Sequence, residues 1–551
     1  MHNLSQHSKS YSQINNGSVP EGHTFVEAKK EQRKNDENNM QMDSPNVDSR
    51  YNITDPFHVI TPQSIAYKIW LFRYVPRLKK YVISSLFYDE VRCILHEAGF
   101  SKRKIGKDFF YIQKKGAVIS EVSPQIMRNY LIKYIDSNVE NAIFSYKGVK
   151  YVIPPEALRE TFFNNSNNIF NKVWLEHLQI HDEPVLKDTK NEMFFVFKNV
   201  LVTVSKEGGI TTGDINDKIG FCVWEDQIIQ YDYTYNEDCT NSHFYKFITN
   251  VTKDDSNRFL SITTGIGYLL HHHFNQAEGQ AVIFYDEEMA DPDSPMGGSG
   301  KGLILNAIGQ VRKVAKVDGK HLDGGNRFVW ERVTPSTQVV WLDDVKPVFD
   351  FSILHSNLTD GWTVERKFLP QFMIPAEDSP KTVICSNSII KGGGTTNKRR
   401  QFVIELSDFY SSKIKKGDEK PIEQIHGCIF FDKSAWNQGE WNKFFTVMFD
   451  FAHIYLNRGL VGFEGVNHAF NQLVADTDSD FADWVLNQNF GSSYYPTKGY
   501  YNNFTNLYHE KGHRFEQRRF TNYIKKFANF REWKFEVVQM NGISYFHFPS
   551  I

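Results

Sequence analysis

Pro295-Met296-Gly297-Gly298-Ser299-Gly300-Lys301-Gly302 lies between a stretch that reads as a buried strand, Gln280 to Tyr285, and one that reads as a helix. In the second, Leu303, Ile304, Ala307, Ile308 and Val311 recur at helical spacing. A glycine-rich turn in that position suits a polyphosphate, because glycines let the main chain curl round it with N–H groups pointing inward and no Cβ in the way. The helix N-terminus adds partial positive charge, and Lys301 adds a mobile cation for the outer phosphates. In this reading Gly297, Gly298, Ser299, Gly300, Lys301 and Gly302 form the cradle. Two positions depart from G-x-x-x-x-G-K-[ST]: Pro295 replaces the first glycine, and Gly302 replaces the hydroxyl that usually touches Mg²⁺. Alone, such a turn is equally an ordinary strand-to-helix connection.

Downstream, Val339-Val340-Trp341-Leu342-Asp343-Asp344-Val345 begins apolar and ends in adjacent carboxylates. Charges at the mouth of a buried strand are costly unless a cation, water or catalysis uses them. Asp343 is therefore a candidate to hold Mg²⁺ through its water shell, and Asp344 to orient and deprotonate an attacking water. A third run, Lys381 to Ser388, ends at Asn387, whose amide can donate to a phosphate and accept from water. A turn-forming Asn is the plain alternative. Arg399 and Arg400 precede the run Gln401 to Leu406 and are candidates for an arginine finger, with a solvated basic cluster as the alternative.

The order of these pieces resembles the A, B, B-prime and C motif series of superfamily-three helicases: the loop with Lys301, Asp343-Asp344, Lys367 within Val364 to Phe368, Pro380-Lys381 leading to Asn387, then Arg399-Arg400. It is most similar to their primase-helicase branch of poxviruses, phages and mobile elements, from about Asn191 to the helices near Leu473. The resemblance implies an AAA+-like ATPase using ATP and Mg²⁺, assembled into a ring of about six subunits that translocates on single-stranded or forked DNA. It implies that Lys301, Asp343, Asp344 and Asn387 are catalytic, with Arg400 as the finger and Arg399 second. The stretch Thr359 to Met373 matches the hairpin pushed into the ring's channel. Its Arg366 and Lys367, beside Phe368, would contact a nucleic-acid backbone.

The 551 residues suggest about three or four domains. A 40% hydrophobic content is enough to give them cores, while a net charge of -2 leaves DNA contact to local patches. The expected architecture is α/β: a P-loop core with a parallel sheet, preceded by α+β domains and followed by a winged helix. The expected segments are a disordered tail at 1–50, an α+β domain at 51–185, and a pre-motor and helical collar segment at 186–275. The ATPase core at 276–410, a helical lid at 411–500 and a winged-helix-like domain at 501–551 follow.

Within 51–185, a helix from Tyr88 to Ala98 is followed by a basic loop, Ser101-Lys102-Arg103-Lys104, and a hairpin turned at Lys114-Lys115-Gly116. No D-x-D or E-x-D pair ends a clear strand there, so priming is not assigned. The stretch Arg258 to Phe274 reads as a helix joining subunits, or as a packing helix within the chain. On such a helix His271-His272-His273 would point about 100° apart and could not converge on one metal. A helix at Gly462 to Leu473 follows the aromatic helix Trp441 to Leu456. Near the end, helices at Thr505 to Gly512 and Phe515 to Phe530 precede a hairpin turned at Asn541-Gly542. They carry Arg514, Arg518, Arg519, Lys525 and Lys526, with Arg518 and Arg519 on a candidate recognition helix.

The five cysteines show no C-x-x-C pair, and no run approaches the roughly 18 apolar residues of a membrane span. The expectation is a soluble protein without membrane contact, in the cytoplasm of a bacterial host. It would replicate a phage or mobile element alongside partner proteins. A non-translocating ATPase switch in defence or regulation and a bifunctional primase-helicase are the alternatives.

Overall fold

Five short apolar runs pair side by side into an all-parallel sheet: β1 (Ala281–Asp286), β2 (Val314–Asp318), β3 (Val339–Asp343), β4 (Lys381–Cys385) and β5 (Gln401–Leu406). Their spatial order is β2-β3-β4-β1-β5. The strands are apolar at nearly every position because both faces of the sheet are covered. Val282 and Phe284, Val339 and Trp341, Val383 and Cys385, and Phe402 and Ile404 share one core with three helices. These are α1 (His243–Thr252), α2 (Ser256–Leu270) and α3 (Lys301–Gly309). The intervening residues Ile283, Val340, Leu342 and Ile384 pack on the other face against Trp330, Leu358, Trp362 and Ile374.

The computed structural model describes residues 58–59, 66–215, 218, 220–275, 279–287, 298–322, 325–346, 349–387, 390, 397, 399–413, 420–463, 473–474, 476–507 and 515–549. The tail 1–50, Pro295 to Gly297 of the loop, Lys398, most of the helix expected at 462–473, and residues 508–514 with Arg514 lie outside the described residues. The chain divides into two compact units, Met1–Val91 with Tyr130–Asn171, and Arg92–Asn129 with Lys172–Ile551. The segment 51–185, read from the sequence as one domain, is thus shared between them.

In the first unit the hairpin Trp70–Val75 and Lys80–Leu86 packs Phe72 and Tyr81 on Phe144. Trp70 Nε1 donates to the carbonyl of Leu158 on the helix Pro155–Ile169 at 3.1 Å.

In the second unit, the stretch expected as a basic loop is instead the strand Phe100–Ile105, paired antiparallel with Asp108–Lys115. Its charges hid the strand, because Phe100 and Ser101 are buried while Lys102 and Arg103 donate from their side chains to the carbonyls of Glu176 and Glu183. A separate sheet, Glu192–Val196, Leu201–Ser205 and Gly209–Gly213, lies near α4 (Gln438–Arg458). The helix α2, read from the sequence as either joining subunits or packing within the chain, is buried within its own chain against α4. A Cβ added at Gly267 would stand 2.5 Å from the Phe451 carbonyl oxygen, so the two helix backbones meet there at a separation only glycine permits.

The helix α2 ends at Leu270, four residues earlier than expected, and His271 is extended. The three histidines therefore alternate rather than spiral. The rings of His271 and His273 stack at 5.5 Å, and His272 turns inward. Beside them the buried Arg312 donates to Asp188 at 2.7 Å and to the carbonyls of Leu270 and Phe194 at 2.7 and 2.9 Å. Asp188 in turn accepts from the backbone N–H groups of Phe194 and His272. This pair ties the end of α2, the strand Glu192–Val196 and the residues after α3 together with every charge occupied.

At the C-terminal end, the helices Ser479–Leu486, Thr497–Leu507 and Gln517–Phe530 enclose an aromatic core with a three-stranded sheet. Its strands run in the order Tyr494–Pro496, Ile543–His547, Glu536–Met540. Asn541 and Gly542 both have positive φ, 51° and 77°, as a two-residue hairpin turn of type I′ requires.

Replacing Arg312 with Ala strands the Asp188 carboxylate and should cost about 3–5 kcal/mol in denaturant unfolding. Burial also lowers the pKa of His271 and His272 from 6.5 to about 4. The unfolded chain then binds more protons than the native one, so stability is full above about pH 6.5 and falls as pH drops towards 4, by about 3 kcal/mol per histidine. An unfolding midpoint unchanged over that range would contradict the placement of these rings.

Candidate functional site

Side-chain alternation fixes what meets at the carboxyl edge of the sheet. In β1, Val282, Phe284 and Asp286 share a face, and in β3 so do Val339, Trp341 and Asp343. The register pairs Phe284 with Cys385, and Leu342 with Ile384, so Asp343 stands level with Cys385 and Asp286 level with Asn387. All three polar ends fall on the face covered by α3, whose first residue is Lys301.

Gly300 caps α3 at φ 105°, and a Cβ there would lie 2.6 Å from the Phe247 ring, so both the turn and its packing demand glycine. Ser299 is buried beside it, whereas Gly302 is exposed and a Cβ built on it meets nothing within 4 Å. Of the sequence-derived cradle, Gly298, Ser299, Gly300, Lys301 and Gly302 are described, and Gly297 is not.

The Lys301 ammonium is buried and held between two acceptors. It donates to Asn387 Oδ1 at 2.9 Å and forms an ion pair with Asp286. Asn387 Nδ2 approaches Asp344 Oδ1 at 3.4 Å, so its amide spans the gap from the lysine to the acidic pair. Asp344 adopts a left-handed conformation, φ 54°, which turns the chain out of β3. Lys316 pairs with Asp343 at 2.7 Å and lies 4.0 Å over the Trp341 ring, and Lys320 pairs with Asp344 at 2.6 Å. That last contact pushes the Lys320 pKa up. Both lysine pairs are half exposed, so they contribute little to stability and exchange readily.

The structure therefore brings Lys301, Asp343, Asp344 and Asn387 to one place and adds Asp286, Lys316 and Lys320, which the sequence reading missed. The donors are carboxylate and amide oxygens, a set that suits a hard cation such as Mg²⁺, with Asp343 and Asp286 on the lysine's side. The signal for Asp286 was present in the alternation Val282, Phe284, Asp286, since the third member breaks an apolar face at the strand end. Lys316 and Lys320 carried no comparable signal, being ordinary exposed charges until β2 pairs with β3.

Arg399 and Arg400 are not part of this group. The Ala281 N–H donates to the Arg400 carbonyl at 2.8 Å, which places both arginines at the amino edge of the sheet. That edge is roughly 16 Å of strand away from the loop.

The hairpin Gly361–Val364 with Phe372–Pro375 carries its own exposed tip. Lys367 is exposed, and Phe368 is 95% exposed at φ 62° with the Lys367 ammonium 5.5 Å from its ring. Arg366 is instead tied down, 3.2 Å from Glu121 and stacked 4.8 Å over Phe372. In the C-terminal helix Gln517–Phe530, Arg518 and Arg519 are exposed, and Arg519 donates to the Tyr523 hydroxyl at 2.8 Å.

No family model matches this sequence, and no curated protein does. Among solved structures, the apo C-terminal region of NrS-1 aligns with 84% of this chain and 98% of its own at 11% identity and TM-score 0.38. A second apo structure of that region (305–718) covers the same shares at 12% identity and TM-score 0.36. JCV helicase bound to a thiazolopyridine acetamide aligns with 30% of this chain and 46% of its own at 13% identity and TM-score 0.21.

Proposed function

We propose that the chain is an ATP-dependent DNA helicase that works as an oligomeric, hexameric ring in the replication of a phage or mobile element. The observation that carries this reading is the convergence of Lys301, Asn387 and the Asp343-Asp344 pair at the carboxyl ends of neighbouring parallel strands. That is where open α/β sheets bind ligands.

In this mechanism Gly298, Ser299 and Gly300 wrap the phosphates with backbone N–H groups, and Lys301 leaves Asp286 to meet the outer ones. Asp343 would hold Mg²⁺, which would supply charge neutralisation at the transferring phosphoryl group. Asp344, freed from Lys320, takes the proton of the attacking water, and Asn387 positions that water between lysine and carboxylate. Arg400 is too far along the strands to reach its own site, so its guanidinium acts on the nucleotide of a neighbouring subunit, with Arg399 beside it. The exposed tip Lys367-Phe368 offers a cation and a ring to a single strand, while the helix with Arg518 and Arg519 forms a winged-helix contact with duplex DNA.

The chain should hydrolyse ATP with Mg²⁺, faster when single-stranded DNA is added, and Lys301→Ala should abolish this. Arg400→Ala should retain nucleotide binding and lose turnover by about 10³-fold. Mixing the two variants should recover measurable hydrolysis, because one mixed interface pairs an intact Lys301 with an intact Arg400. An inactive mixture contradicts the assignment in trans, and hydrolysis indifferent to DNA favours an ATPase switch. Phe368→Ala should weaken single-stranded DNA binding about tenfold, since one base stack contributes about 1–3 kcal/mol. Unchanged binding would remove the hairpin from the DNA path.

A further inference from the structure

We infer that Asp286 is a metal-site residue that supplies the oxygen ligand missing at Gly302, and that it exchanges the Lys301 ammonium for Mg²⁺ when nucleotide binds. This rests on the ATP-binding reading above and adds a residue to it.

Three observations lead there. The Asp286 side chain is only 12% exposed, and its one charge partner among the described residues is Lys301. Once Lys301 turns to a triphosphate, that carboxylate is left buried and unpaired, a state that proteins avoid by supplying another cation. The only cation that arrives with the phosphates is the divalent one. Secondly, while Oδ2 engages Lys301, Oδ1 is buried with no hydrogen-bond partner among the described residues, so the second oxygen is available to a ligand. Thirdly, Asp286 lies on the α3 face of the sheet with Asp343, and both carboxylates bear on the Cys385 thiol between them.

The position after the loop lysine normally provides a hydroxyl to the metal. Here Gly302 provides none, although the space beside it is open. A carboxylate delivered from the preceding strand restores a hard oxygen donor by another route. The same group also restrains Lys301 before nucleotide arrives, so its loss has opposite effects on metal-free and metal-bound affinity.

The test is the affinity for ATP measured by calorimetry in EDTA and again in Mg²⁺, with Mn²⁺ binding to the ATP-loaded chain followed by electron paramagnetic resonance. D286N should bind ATP in EDTA as tightly as the parent chain or more tightly. It should lose tenfold or more of the gain that Mg²⁺ confers and bind Mn²⁺ correspondingly more weakly. In the double variant D286N/G302S, the serine hydroxyl should restore much of that gain, which also shows that the D286N chain is folded. If D286N keeps the full Mg²⁺ gain and Mn²⁺ affinity, Asp286 serves only to hold the lysine and the inference is overturned. A parent chain that binds no ATP in either buffer would instead overturn the ATP-binding reading on which this one stands.

Discussion

The register of the central parallel sheet is the constraint from which the site follows. Because β1, β4 and β3 are aligned so that Phe284, Cys385 and Asp343 stand level, the two-residue period of a strand sends Asp286, Asn387 and Asp343 to the same face. That face is the one on which α3 packs through Ile304, Leu305 and Ile308. A slip of one residue in β4 would turn Asn387 to the opposite side and bury its neighbour in its place. The apolar core therefore does more than stabilise the sheet, since it sets which polar group closes each strand above the lysine.

Charge balance is the second constraint. Six ionic groups and one amide meet in a small space, and they neutralise one another: Lys301 with Asp286, Lys316 with Asp343, Lys320 with Asp344. The buried pair is the stringent one, because separating it exposes a low-dielectric site to an unmatched charge. The two outer pairs are partly solvated and part at small cost. A ligand that brings both negative phosphates and a divalent cation can replace all three pairs together, whereas either ion alone would leave charges of one sign unmatched.

Much of this was legible in the chain before any coordinates. Four of the five strands and α3 begin within about two residues of where the apolar runs place them, whereas β2, Val314–Asp318, alternates with Lys316 and Asp318 and was not expected. Lys301 was readable from the glycine-rich turn that opens a helix, and Asp343 and Asn387 because each closes an apolar run. Asp286 was missed because Glu287 follows it directly, so the alternation Val282, Phe284, Asp286 is blurred at its last member until the pairing sets Asp286 level with Asn387. The strand Phe100–Ile105 was hidden by three consecutive basic residues, whose long side chains reach partners from a paired backbone. The apolar stripe of α2 could not distinguish a partner subunit from α4, because helix periodicity reports that a face is buried and not what buries it. Arg366 looked like its neighbour Lys367, and only the fold shows that Glu121 and Phe372 hold one while the other stays exposed.

The central claim is that one triphosphate is gripped between Lys301 and the acidic pair. A crystal structure of the chain with Mg²⁺ and a non-hydrolysable ATP analogue examines it most directly. The account predicts the outer phosphates within hydrogen-bonding distance of the Lys301 ammonium, with the metal on the Asp343 side and the Lys301–Asp286 contact broken. A nucleotide bound elsewhere, or a Lys301 still locked to Asp286 beside a bound triphosphate, would contradict it.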